Sequence, residues 1–189
     1  MKNNFSARKI ALIGIFAALS YIGFQFLRID IPVGTQKTAF HMGNVFLMVA
    51  ALTIGGLEGG LSGAIGMTIA DMTSGYMTSA PATFILKLCI GLIVGLFMRL
   101  LKVRHEENRQ KRILKLVLAT GAGAVFNIIA DPLIRYIFNL FIYKIRGDLA
   151  AKLAAISSIT TIVNAILAIV FSTILFEALR PSLNKMKIL

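Results

Sequence analysis

The chain has 189 residues, of which 57% are hydrophobic and only 15% charged, with a mean hydropathy of +0.82. A water-soluble domain of this length needs far more charge to cover its surface, which excludes most soluble classes. The charge is lopsided, Lys+Arg 20 against Asp+Glu 8. A net +12 would suggest nucleic acid in a soluble protein, but in a membrane protein it marks the cytoplasmic ends of helices, so no nucleic-acid partner is expected.

The N-terminal residues Lys2, Arg8 and Lys9 precede an apolar run as in a secretory signal, yet no small-residue cleavage site follows. The run is read as a retained first helix, 9–27. Further apolar spans fall at 41–55, 60–74, 80–101, 113–143 and 153–179, the last containing a long stretch without a charged side chain. The fold expected is all-α: an integral membrane bundle of six transmembrane helices, forming a single membrane domain over 1–189. The glycines of 55–60 are read as a tight turn between the second and third spans. Pro132 is expected to kink or break the fifth, leaving 133–143 as either its continuation or an interfacial helix.

Orientation follows from basic residues near helix ends. With the N-terminus inside, the basic N-terminus, the loop 102–112 and the C-terminal Arg180, Lys185 and Lys187 share the cytoplasm, while only Arg28, Lys37, Lys144, Arg146 and Lys152 lie outside. Both termini are therefore expected to be cytoplasmic. The loop 102–112 reads first as a topology anchor, with docking to a partner or anionic lipid as the alternative.

Several chemistries are missing. There is no P-loop, so the chain is not its own ATP-driven motor, and no His-Glu-x-x-His. The histidines are His41 and His105 alone, and the lone Cys89 lies in an apolar stretch, so no metal site and no cofactor are expected. No catalytic constellation appears, which disfavours an intramembrane enzyme.

Polar groups inside apolar spans are costly and mark a cavity, a partner or the bundle interior. In the deduced topology they gather at one level of the outer leaflet. His41 and Asn44 start the second span, Asp71 ends the third, Tyr76, Thr83, Phe84 and Lys87 surround the start of the fourth, and Asn127 and Asp131 lie toward the outer end of the fifth. Ser157, Ser158, Thr160, Thr161 and Asn164 fill the outer half of the sixth. Such a cluster describes a pocket for a small polar molecule. Plainer roles stand beside it: Asp131 and Arg135 form an i, i+4 ion pair, Lys87 snorkels, Asn127 and Asn164 bond each other or a neighbouring backbone, and Tyr76 and Phe84 are interface aromatics. The connection 28–40, with Asp30, Pro32, Gly34, Thr35 and Gln36, is a lid over that pocket or a plain connector. In the first span Ala7, Ala11, Gly14 and Ala18 form a strip of small side chains, suited to internal packing or to docking another subunit.

The segments His41-Met-Gly-Asn-Val-Phe-Leu47, Gly66-Met-Thr-Ile-Ala-Asp71-Met-Thr-Ser-Gly75-Tyr76 and Ala80-Pro-Ala-Thr83-Phe84-Ile-Leu-Lys87 resemble those of substrate-binding S components of energy-coupling factor (ECF) vitamin transporters, in the group typified by riboflavin, pyridoxine and hydroxymethylpyrimidine carriers. The resemblance spans nearly the whole chain. It implies a multi-pass protein of the bacterial plasma membrane, an outward pocket capped by the loop after the first helix, and an ABC-type importer completed by a transmembrane coupling (T) subunit and two cytoplasmic ATPase subunits. The family's docking motif, Ala-x-x-x-Ala, is matched by Ala7 and Ala11, and with glycine in place of alanine by Gly14 and Ala18. Ligand contacts implied by position lie at the start of the fourth span and around Asn127 and Asn164. Pyridoxine or hydroxymethylpyrimidine is the expected substrate and riboflavin the second choice; a stand-alone secondary carrier or facilitator is the alternative of another class.

Overall fold

The computed structural model describes residues 6–33 and 36–186. Helix α1 spans Ala7–Gln25, α2 Gly43–Thr53, α3 Gly56–Thr73, α4 Ala80–Leu100, α5 Arg109–Phe141 and α6 Gly147–Lys185. Between α1 and α2 lie two antiparallel strands, β1 (Arg28–Val33) and β2 (Gln36–His41), paired from Arg28 opposite His41 to Val33 opposite Gln36. The chain is thus not purely helical. The connection 28–40 is a hairpin in which Ile29, Ile31 and Val33 alternate with Arg28, Asp30 and Pro32. Gly34 and Thr35, part of the expected lid, fall outside the described residues.

The helix bounds depart from the sequence reading at four places. The glycines of 55–60 are mostly inside α3, which begins at Gly56; the turn is only Ile54 and Gly55, the latter at φ +124°, a conformation open to glycine. Helix α2 has 11 residues, about 16 Å, and falls short of a 30 Å hydrocarbon core. Helix α5 runs unbroken through Pro132, which removes only the ladder bond to the Ile128 carbonyl. Helix α6 extends from Gly147 through Pro181 to Lys185, well past the expected 153–179. Among the described residues four helices are long and apolar enough to cross a membrane, α1, α4, α5 and α6, and α2 is a shorter apolar helix.

Side-chain caps start two of these helices: Ser6 Oγ accepts from Lys9 N–H, and Asn108 Oδ1 accepts from Lys111 N–H at 3.1 Å. Helix α3 sits among α1, α2 and α4, and glycine permits that. A Cβ on Gly59 would lie 2.2 Å from the Ala51 backbone nitrogen of α2, one on Gly66 2.1 Å from the Ala17 carbonyl oxygen of α1, and one on Gly91 of α4 2.2 Å from Gly60 Cα. The apolar core, with Leu47, Met48, Leu52, Ile90, Val94, Leu116 and Phe176, fills the half of the bundle that contains the N-terminus of α3. At that end Arg112 pairs with Glu177 (Nε–Oε1 2.6 Å), tying α5 to α6, and Arg8 donates to the Met186 carbonyl, tying the first helix to the last.

Gly91→Ala therefore places a methyl group against backbone that cannot yield. Thermal unfolding of the detergent-solubilised protein is expected to show a loss of about 1–3 kcal/mol. Gly14→Ala, with nothing within 4 Å of its Cβ, serves as control and should match or slightly exceed the parent.

Candidate functional site

At the other end of the bundle the helices part around a polar cavity, and the hairpin covers it. Asn44 reaches it from the first turn of α2, Asp71 from the last turns of α3, Thr83 and Lys87 from the start of α4, Asn127, Asp131 and Arg135 from α5, and Thr160, Thr161 and Asn164 from α6. The contributions recur at one-turn spacing along each helix, which keeps them on one face. His41 and Tyr76 complete the wall, together with Phe24 and Met67, and Thr38 and Ala39 of β2 form the cover. Of the residues expected from sequence, His41, Asn44, Asp71, Tyr76, Thr83, Lys87, Asn127, Asp131, Thr160, Thr161 and Asn164 line this cavity, whereas Phe84, Ser157 and Ser158 do not. Phe84 is half-buried and turned away, because Thr83 and Lys87 set the inward face of α4 and the next residue is rotated off it.

Asp131 and Arg135 do form the i, i+4 pair, with Nε–Oδ2 at 3.0 Å, and Thr161 donates to the same oxygen at 2.9 Å from α6. Thr83 hydrogen-bonds Asp71. Lys87 does not snorkel: it is buried, 6% exposed, and no hydrogen bond or ion pair links it to any described residue. The buried Asn44 Oδ1, Asp71 Oδ2, Asn127 Oδ1 and His41 Nδ1 are likewise unpartnered among the described residues.

Asn164 has a role that its position alone did not reveal. Its Nδ2 donates to the Ala39 carbonyl and its Oδ1 accepts from the His41 N–H, both at 2.9 Å, so one amide satisfies the free edge of β2 as a neighbouring strand would. One turn earlier, Thr160 donates to the Ser157 carbonyl and so receives the Thr38 hydroxyl at 2.7 Å. On the far side of the hairpin the Tyr76 hydroxyl donates to Asp30 Oδ1 at 3.1 Å. Beneath it the Phe24 ring packs at 4.6 Å from His41 and edge-on at 6.1 Å from Tyr76. Phe24, Met67 and, in β2, Thr38 and Ala39 are not marked by the sequence, because nothing polar distinguishes the first two and the segment 28–40 shows no clear strand signal. No group of three His, Cys, Asp or Glu is gathered for a metal ion among the described residues.

The sequence profile of the family described as ECF-type riboflavin transporter, S component, matches residues 4–181. The chain belongs to that S component family. A UPF0397 protein of Enterococcus faecalis is 27% identical, aligned over 98% of this chain and 96% of its own length, and a UPF0397 protein of Staphylococcus aureus is 29% identical over 96% and 94%. In fold the chain is similar to the crystal structure of the S-component for biotin from an ECF-type ABC transporter, at TM-score 0.59, 18% identity and coverage of 94% and 95% of the two chains. It is a multi-pass protein of the bacterial plasma membrane and a substrate-binding S component for a vitamin; such a subunit is non-catalytic.

Asn164→Ala leaves the Ala39 carbonyl and the His41 N–H of β2 without partners. The lost pair should destabilise hairpin closure by about 1–3 kcal/mol, seen as faster hydrogen exchange at the His41 amide while amides in α4 and α5 are unchanged.

Proposed function

We propose that this S component is the substrate-specificity subunit of an ATP-driven ECF importer, and that it binds a small heteroaromatic vitamin or precursor, pyridoxine or hydroxymethylpyrimidine, in the cavity beneath the hairpin. The observation that carries this reading is the set of buried groups there without partners. The unpartnered Asp71 oxygen accepts, Lys87 donates, and the Asn44 and Asn127 amides turn to do either. Unmade hydrogen bonds of this kind are costly, and a ligand with ring nitrogens, hydroxyls or an amino group satisfies them. The enclosed space is small, about 40 Å³, so any of these ligands requires the hairpin to yield, and one ring requires less than three. Riboflavin is the second reading, favoured by the description of the family itself.

We place the cavity on the outer face, with both termini in the cytoplasm and six crossings in one membrane domain. Charge supports this: Arg8, Lys9, Arg99, Lys102, Arg104, Arg109, Lys111 and Arg112 gather at the end opposite the cavity, whereas the cavity end holds Arg28, Lys144, Arg146 and Lys152 beside the cavity's own Lys87 and Arg135 among described side chains. The third crossing is α3, and the second is β2 continued by α2. The partners are a transmembrane coupling (T) subunit and two cytoplasmic ATPases. Ala7, Ala11, Gly14 and Ala18 are all exposed along α1, with the buried Ala17, Ser20 and Phe24 on its other face, which supports a docking role for that strip.

The deciding experiment is to purify the chain alone in mild detergent and identify by mass spectrometry what is released on denaturation, then to titrate pyridoxine, hydroxymethylpyrimidine and riboflavin. A stoichiometric single-ring ligand is expected; a flavin would establish the second reading, and no binding to any of them would point to a stand-alone carrier or facilitator. Lys87→Met should weaken binding about tenfold or more, since a buried donor is lost. In the same preparation Ala11→Leu with Ala18→Leu should leave ligand affinity intact and reduce co-purification of the coupling subunit.

A further inference from the structure

The end of the bundle away from the vitamin site holds a second cavity, larger than the first, of about 830 Å³, lying between the start of α1, the α2–α3 turn, the end of α4 and the short 3-10 turn Val103–His105. Its walls carry Lys9, Arg99, Lys102, Arg104 and His105 against one acid, Glu58. That acid is already taken, by Lys9 at 2.8 Å. Arg104 donates to the Thr53 carbonyl at the end of α2. Arg99 and Lys102 have no hydrogen-bonding or ion-pair partner for their side chains among the described residues, and burial first and the neighbouring Arg99 second hold the Arg104 guanidinium below its usual range.

The basic residues of α5 and α6 at the same end are treated differently. Arg112 pairs with Glu177, Lys115 with Glu106 at 2.6 Å, and Arg180 donates to the Glu106 carbonyl. Positive charge is neutralised internally on one side of this end and concentrated around a cavity on the other. Excess cations facing one another are self-repulsive, and an anion between them relieves that.

Position selects the kind of anion. The cavity lies at the ends of the apolar helices α1 and α4, and next in sequence to its lining residues stand exposed apolar side chains: Ile10 of α1, Leu57 of α3, and Leu96 and Leu100 of α4. A charged recess beside exposed leucines matches an occupant with an anionic head and apolar tails. We propose that this recess is a binding site for an anionic phospholipid, its phosphate held by Arg99 and Lys102 with Lys9 and Arg104 beside them. The site is separate from vitamin binding, and only the name of the leaflet depends on the orientation proposed above.

The test reconstitutes the full chain in nanodiscs of phosphatidylcholine with or without phosphatidylglycerol, reading thermal unfolding and, by native mass spectrometry, retained lipid. The parent should melt higher with phosphatidylglycerol and retain it. Arg99→Gln with Lys102→Gln should bind it about tenfold more weakly and lose the shift. The control, Arg109→Gln with Lys111→Gln, removes the same charge at the same end outside the recess and should keep both. Equal loss in the two variants, or no preference for phosphatidylglycerol in the parent, overturns the proposal. A shift given in phosphatidylcholine by glycerol 3-phosphate, abolished by Arg99→Gln with Lys102→Gln, would assign the recess to a soluble phosphate ester instead and also overturn it. Circular dichroism of the Arg99→Gln, Lys102→Gln protein checks that the helices form. Should that variant misfold, competition of glycerol 3-phosphate against phosphatidylglycerol on the parent chain decides.

Discussion

The close approach of α3 to three other helices is the constraint on which the rest of this molecule depends. In lipid there is no hydrophobic drive to bring helices together, so association relies on van der Waals contact and on how near the backbones can come. Glycine at 59, 60 and 66 of α3 and at 91 of α4 sets that distance. With α3 held so tightly, the lower half of the bundle closes into a dense apolar core, and the other half, where these helices carry Asp71, Thr83 and Lys87 instead, remains available for a polar cavity. Replacing any of those glycines by a larger residue would move α3 as a whole, and with it the Asp71 carboxylate.

The cavity and the recess show two ways of managing charge in an apolar setting. In the polar cavity Asp131 and Arg135 neutralise each other and Thr161 of α6 donates to the same carboxylate, which links α5 to α6, while Lys87 and Asp71 keep hydrogen-bonding capacity in reserve. A buried ion pair of that type is weak evidence for stability and better understood as orientation: it fixes the rotation of α5 so that Asn127 and Asp131 face inward. At the opposite end the same division recurs between a neutralised side, α5 and α6, and an uncompensated one.

Much of this was legible in the sequence, for a physical reason. Long apolar runs define α1, α4, α5 and α6 almost by hydropathy alone, and polar residues in such runs have few places to go but inward, which is why Asn127, Asp131 and Asn164 could be gathered before any geometry was known. What was missed lies where local signals compete. The alternation over 28–33 contains Pro32, and the segment reads from sequence as a lid or a plain connector with no strand in it, yet proline is admissible at a sheet edge. Phe84 was included because aromatic rings suit ring ligands, although the helical phase fixed by Thr83 and Lys87 excluded it. The glycines at 56, 59 and 60 looked like a turn because glycine breaks isolated helices, whereas in this bundle the missing side chains are what the packing requires. Asn164 was found, but its partner was not, since the strand it completes had not been recognised.

The brevity of α2 decides by which route a molecule can enter. Strand β2 leads directly into this short apolar helix, and extended backbone in a hydrocarbon environment must have every N–H and C=O satisfied. Here β1 supplies one edge of β2, while on the other Asn164 takes the Ala39 carbonyl and the His41 N–H, and Thr160 holds the Thr38 hydroxyl. A hairpin swinging sideways into acyl chains would strip those groups of partners with no water to replace them, whereas one lifting along the bundle axis exchanges each for a water molecule. The backbone chemistry of one short strand thus closes the lipid-side path and leaves the aqueous one.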